Sequence, residues 1–190
     1  MKRVKRERYV YEMVLAAMFS VIIAICAWIT IPFAVPFTMQ TFGVFLAIAV
    51  LGGKLATLSI GLYILLGIVG IPVFSGFQSG IGVLFQQTGG YVIGFLVASL
   101  VSWGLEFGVR TFFKRGRFLK RFLIWLELFL GLLVCYAFGT LWFWSLYMKQ
   151  SGAISIGAVL GVCVVPFVLP DVIKIGLALV VQKRLRGMIK

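Results

Sequence analysis

The sequence predicts an all-α fold, a single membrane domain over 1–190 built as a bundle of six transmembrane helices. Three observations predict it. Of the 190 residues, 62% are hydrophobic and 12% charged, and mean hydropathy is +1.13. A soluble domain of this length keeps too much exposed surface to hide that much apolar side chain. The Lys and Arg residues gather at 2–8, Arg110 to Arg121 and Lys183 to Lys190, separated by apolar runs. A helix needs about 20 such residues to cross a bilayer, fewer where the segment is irregular.

The first span is expected over 9–31. The basic stretch before it could open a secretion signal, but the apolar run is long and has no small-residue cleavage pattern, so it reads as a retained span. The second span, 38–51, is short and ends at the turn Gly52-Gly53-Lys54. The third, 55–71, stops at Pro72, which cannot donate to a helix ladder. The fourth, fifth and sixth are expected over 89–109, 122–147 and 154–182.

Charge sets the orientation. With the N-terminus inside, all of the 18 Lys and Arg except Lys149 and Lys174 fall in inner segments, as the positive-inside rule requires. Both termini are then cytoplasmic, and an odd number of spans would break the agreement. The basic clusters suit anionic lipid heads. Because each flanks a span, the net charge of +13 argues for a bilayer and not for nucleic acid. The longest outer segment, Pro72 to Thr88, is rich in glycine and amides and carries no charge. That composition reads as a lid or binding loop, with Phe74, Phe77, Leu84 and Phe85 tucked into the mouth of the bundle.

Asp171 and Lys174 stand one helical turn apart, with Ile156 to Val164 before them and Ile175 to Val181 after. Charges at that depth are costly and are kept mainly where they meet a cavity, a partner or a ligand. Pro170 would interrupt a helix running through from Ile156, leaving a helix start and free backbone groups beside the pair, as transporters use for substrates. Tyr91, after Thr88-Gly89-Gly90, stands at the outer end of span four and joins the candidate site. Span one carries Ala16, Ser20 and Ala24 at four-residue spacing, which lets a second helix approach closely, from a partner or from the same chain. Glu106 pairs with Arg110 at i,i+4, and Glu127 lies near Lys120 and Arg121. Cys26, Cys135 and Cys163 sit inside apolar runs and read as packing residues.

Several function classes drop out. Histidine is absent, so no Ser/His/Asp or Cys/His set can form, and no Cys-x-x-Cys pair supports a metal. No phosphate-binding G-x-x-x-x-G-K-[ST] loop occurs, so ATP chemistry would belong to another chain. The chain reads as a non-enzymatic membrane protein that needs no cofactor.

Five strings then converge: Pro32-x-x-x-Pro36-Phe37-Thr38-Met39-Gln40-Thr41-Phe42; Tyr63-x-x-x-Gly67-x-x-Gly70-Ile71-Pro72-Val73-Phe74; Thr88-Gly89-Gly90-Tyr91-x-x-Gly94-Phe95; Tyr136-x-x-Gly139-x-x-Trp142; and Pro166-Phe167-x-x-x-Asp171-x-x-Lys174. In order and spacing, over most of the chain, they resemble the BioY family, the biotin-binding S components of energy-coupling factor (ECF) transporters. One departure is Gln86-Gln87, where the family pattern has Gly-Pro. The resemblance implies a six-helix protein of the cytoplasmic membrane that captures biotin from outside. A transmembrane coupling protein and two ATPases would then drive its release inside. Lys174 would meet an acceptor of biotin and Asp171 its N–H donors. Gln86, Gln87 and Thr88 would complete the ureido or carboxylate contacts, Tyr91 and Phe74 would cover the apolar part, and Thr38 joins through its motif. Which end of biotin faces Lys174 stays open. Two other readings stand beside this one: a proton-coupled carrier of another small solute, and a structural membrane protein whose Asp171–Lys174 pair locks helices together.

Overall fold

The computed structural model describes residues 2–32, 35–112, 117–152 and 154–185, with side chains undescribed at 2–5, 108–112, 117–121 and 150–151. Much of the three basic clusters, the Arg110 side chain expected beside Glu106, the Lys120 and Arg121 side chains expected near Glu127, and Ala153 lie outside the described residues.

The described helices are α1 (Lys2–Trp28), α2 (Gln40–Leu51), α3 (Gly53–Val69), α4 (Gly89–Phe112), α5 (Arg117–Ser151), α6 (Ile156–Cys163) and α7 (Val165–Leu185). Among the described residues, four stretches are long and apolar enough to cross a membrane: Arg6–Trp28, Gly89–Phe107, Phe122–Lys149 and Ile156–Leu185. The last takes α6 and α7 together, while α2 and α3 are shorter apolar helices. α1 packs on α2 and α3, α2 also on α7, α3 on α4, and α4 on α5.

The first span ends earlier than 31. Thr30–Ile31 (β1) pairs antiparallel with Phe37–Thr38 (β2), Thr30 opposite Thr38. The Met39 N–H closes this hairpin on the Ile29 carbonyl at 3.0 Å. The turn into α3 needs glycine twice. Gly52 has φ of 81°, and any Cβ on Gly53 would run into the Trp103 backbone of α4.

The stretch expected as the sixth span is two helices, and the break falls at Val164, not at Pro170. Pro166 has no N–H to give to the turn before it. The Phe167 N–H instead bonds the Val164 carbonyl at 2.9 Å, one residue short of the Cys163 carbonyl that a continuous helix would use. Pro170 lies within α7, which continues through it.

Two further expectations concern packing. Ala16, Ser20 and Ala24 are 1%, 2% and 4% exposed, covered by the chain's own helices. α2 comes so near α1 that a Cβ on Gly43 would lie 3.2 Å from the Ile23 Cα. The small-residue stripe therefore packs α1 closely into its own bundle. In the 72–88 segment, Phe74 is buried and Leu84 half-buried, but Phe77 and Phe85 are 62% and 64% exposed. Phe77 stacks on Trp28 with ring centroids 5.2 Å apart. The segment coils into two 3₁₀ turns, Ser75–Phe77 and Ile81–Phe85. Gly76 and Gly80 have positive φ there, a region glycine enters without steric penalty.

Candidate ligand-binding cavity

At the end of the bundle that carries the β1–β2 hairpin and the 72–88 segment lies a cavity of about 720 Å³, its open mouth included. Its mostly apolar lining, interrupted by a few polar groups, suits a small organic ligand. Asp171 and Lys174 form its polar wall, and they are 2% and 4% exposed.

α7 brings the two charges onto one face, and β2, α2 and α5 supply their partners. The Lys174 Nζ donates to Asp171 Oδ1 (2.8 Å), to the Thr38 carbonyl (2.7 Å) and to Thr41 Oγ1 (3.0 Å). An ammonium has three protons, so every donor is used. The Thr41 hydroxyl, having accepted from Lys174, donates to Asp171 Oδ1 at 2.9 Å. The Tyr136 hydroxyl of α5 donates to Asp171 Oδ2 at 2.6 Å. Nζ also stands 4.1 Å from the centre of the Phe37 ring, a cation–π contact. The wall is thus a neutral ion pair with no unsatisfied ammonium proton. Asp171 accepts three bonds, where a carboxylate has about four acceptor sites, so it retains room for a ligand donor.

The opposite wall is made by shape. Any Cβ on Gly139 would overlap the Tyr91 ring, and any on Gly90 would overlap the Trp142 side chain. A Cβ on Gly94 would lie 3.2 Å from the Cys135 carbonyl. α4 and α5 therefore exchange glycine for ring twice, which explains the spacings in Thr88-Gly89-Gly90-Tyr91-x-x-Gly94 and Tyr136-x-x-Gly139-x-x-Trp142. Tyr91 is aimed at the helix break: its hydroxyl donates to the Cys163 carbonyl at 3.3 Å, the group that the break released. Thr140 Oγ1 lies 3.4 Å from the same hydroxyl. Phe74 is seated by Gly67, where any Cβ would overlap its ring, and meets Tyr63 edge-on at 5.6 Å.

Of the residues singled out in the sequence, Asp171, Lys174, Tyr91, Thr88, Phe74 and Thr38 line the cavity together. Gln86 and Gln87 do not. The Gln86 side chain is exposed, and its carbonyl accepts from Trp142 Nε1 at 3.1 Å, which ties the 72–88 segment to α5. Sequence reasoning gave no role to Gln40, Thr41 or Tyr136, although all three line the cavity. Thr41 had a signal, being one turn after Thr38. Gln40 is buried, with its amide donating to the Tyr63 hydroxyl at 3.0 Å. Tyr136 had none beyond its place in a motif.

The family model described as BioY family matches residues 1–190. The chain is 38% identical to a probable biotin transporter BioY of Pyrococcus horikoshii, over 93% of this chain and 96% of that one. It is 35% identical to the biotin transporter BioY of Thermotoga maritima, over 92% and 95%. Among solved structures it resembles the S-component for biotin from an ECF-type ABC transporter, with a TM-score of 0.79 and 27% identity, over 95% of this chain and 93% of that one. With matches that span both partners nearly end to end, the chain belongs to the BioY family.

Proposed function

We propose that this chain captures biotin and serves its uptake across the cell membrane as the substrate-binding component of an ECF-type transporter. It is a multi-pass membrane protein and not an enzyme; a coupling protein and ATPases would supply the driving force. The observation that carries the reading is the cavity whose one polar wall is a buried, charge-neutral Asp171–Lys174 pair. The ureido ring is the end of biotin that suits this wall, since it is neutral and brings N–H donors to the acceptor capacity left on Asp171. A carboxylate there would set two anions against one cation in a dry site. The thiophane and valeryl chain then lie along Phe74, Val92, Phe95 and Phe167, and Thr38, Thr88 and Tyr91 border them.

Equilibrium binding of radiolabelled biotin to the purified chain tests this. Single Asp171→Asn and Lys174→Ala variants are expected to lose binding, but each leaves a buried partner uncompensated. The paired Asp171→Asn, Lys174→Met variant removes both charges together and is expected to stay folded while losing biotin. If that folded variant binds biotin like the native chain, the site assignment fails. If no vitamin raises the native chain's melting temperature, the pair is a helix lock and nothing more.

A further inference from the structure

Resting on that biotin reading, we infer that the cavity recognises the ring end of its ligand and leaves the carboxyl end unread. This chain then takes carboxyl-modified biotins, such as the primary amide and biotinyl-lysine, about as well as biotin.

The argument starts from charge. Among the described residues, Asp171 and Lys174 are the charged side chains that line the cavity. All three protons of Lys174 already have acceptors within the protein. A ligand carboxylate placed beside them would have to displace Asp171 from its own counter-ion, or remain an unpaired anion in an apolar setting. The ring end therefore goes deep, and the chain points to the mouth.

Among the described residues that line the cavity, none towards the mouth carries a positive charge. The segments around it, 29–39 and 70–88, contain no Lys, Arg, Asp or Glu. Of the residues that line the cavity towards that end, Gln78 is exposed and Ser75 half-buried. Both are neutral groups that can hydrogen-bond an amide as well as a carboxylate, and neither brings a cation to single out the charged form. Lys149 is exposed and lies in the last turn of α5, where a cation is accounted for by the carbonyls at a helix C-terminus. It does not line the cavity.

Competition against radiolabelled biotin on the purified full chain decides the matter, with unlabelled biotin, biotin amide and biotinyl-lysine as competitors and Lys149→Gln run in parallel. All three competitors are expected to displace the label within about threefold of one another, with Lys149→Gln indistinguishable from the native chain. A site that met the carboxylate with a cation would disfavour the amide by on the order of tenfold to a hundredfold, and a gap of that size overturns the inference. A gap that closes in Lys149→Gln overturns it too, and names Lys149 as the reader. Failure of biotin itself to displace the label would instead remove the biotin reading on which this rests.

Discussion

Two helix seams wall the cavity, and they hold it by different physics. Along α2 and α7 the contact is polar. Lys174 reaches the Thr38 carbonyl at one end, and the buried Gln182 donates to the Ala49 carbonyl near the other. Between α4 and α5 the contact is steric, with Gly90 and Gly139 each receiving a ring from the facing helix. A polar seam in an apolar medium is stable only while every member is satisfied, and it loses heavily when one is removed. A steric seam loses in smaller steps and fails by overpacking. The polar seam should therefore govern whether the site exists, and the steric seam how well its walls fit.

Breaking the polar seam gives the largest effect. Asp171→Ala leaves Lys174 buried without its counter-ion, which costs about 3–5 kcal/mol. A collapse of the thermal midpoint, with most of the chain lost from the detergent-soluble fraction, is expected. Retention of the native midpoint would mean that water or lipid reaches Lys174, contrary to its 4% exposure. A milder cut is Tyr136→Phe, which removes one donor from Asp171 Oδ2 and leaves two on Oδ1. A hydrogen bond to a charged group is worth about 1.5–3 kcal/mol, so a lower midpoint and weaker biotin binding are expected together. A midpoint that falls while affinity holds would separate Tyr136 from the ligand.

How much of each seam the sequence displayed follows from the same contrast. Asp171 and Lys174 stood out because charge within an apolar run is conspicuous, and their one-turn spacing fixed a shared face. Their partners were harder. Thr38 contributes a backbone carbonyl, which no side-chain pattern reports, and Tyr136 comes from another helix 35 residues away. The steric seam was visible only as motif: glycines and rings recur at set spacings, but which glycine receives which ring is decided by how α4 and α5 dock. The break in the sixth span was misplaced for a related reason. Both prolines lack a donor, yet Pro170 falls where α7 is already established, whereas Pro166 falls at its start, a position proline tolerates well. The buried Ala16, Ser20 and Ala24 mark a close helix contact in either setting, and only the packing assigns it to this chain.

On the steric seam, Gly139→Ala and Gly67→Ala each place a methyl where a ring now sits, Tyr91 in one case and Phe74 in the other. Overpacking of this kind costs about 1–3 kcal/mol. Because both rings line the cavity, biotin affinity should fall along with the midpoint in each variant. Two native-like affinities would mean that the rings can retreat without narrowing the cavity, and the steric seam would lose its claim on the site.

Tyr91→Phe is the smallest change and the sharpest, since it keeps the ring against Gly139 and removes only the hydroxyl. That hydroxyl bonds a carbonyl at 3.3 Å and a threonine at 3.4 Å, both long, and a neutral bond of this kind contributes about 0.5–1.5 kcal/mol. The Cys163 carbonyl would also lose the donor that replaces its missing helical partner, so the loss should sit towards the upper end of that range. Comparing Tyr91→Phe with Gly139→Ala under the same melt and binding assay then divides Tyr91 into its two roles. If the alanine variant is the more damaging to affinity, the ring's position is what the ligand feels. If the phenylalanine variant is, the helix break and the carbonyl it frees belong to the binding wall as much as the charges do.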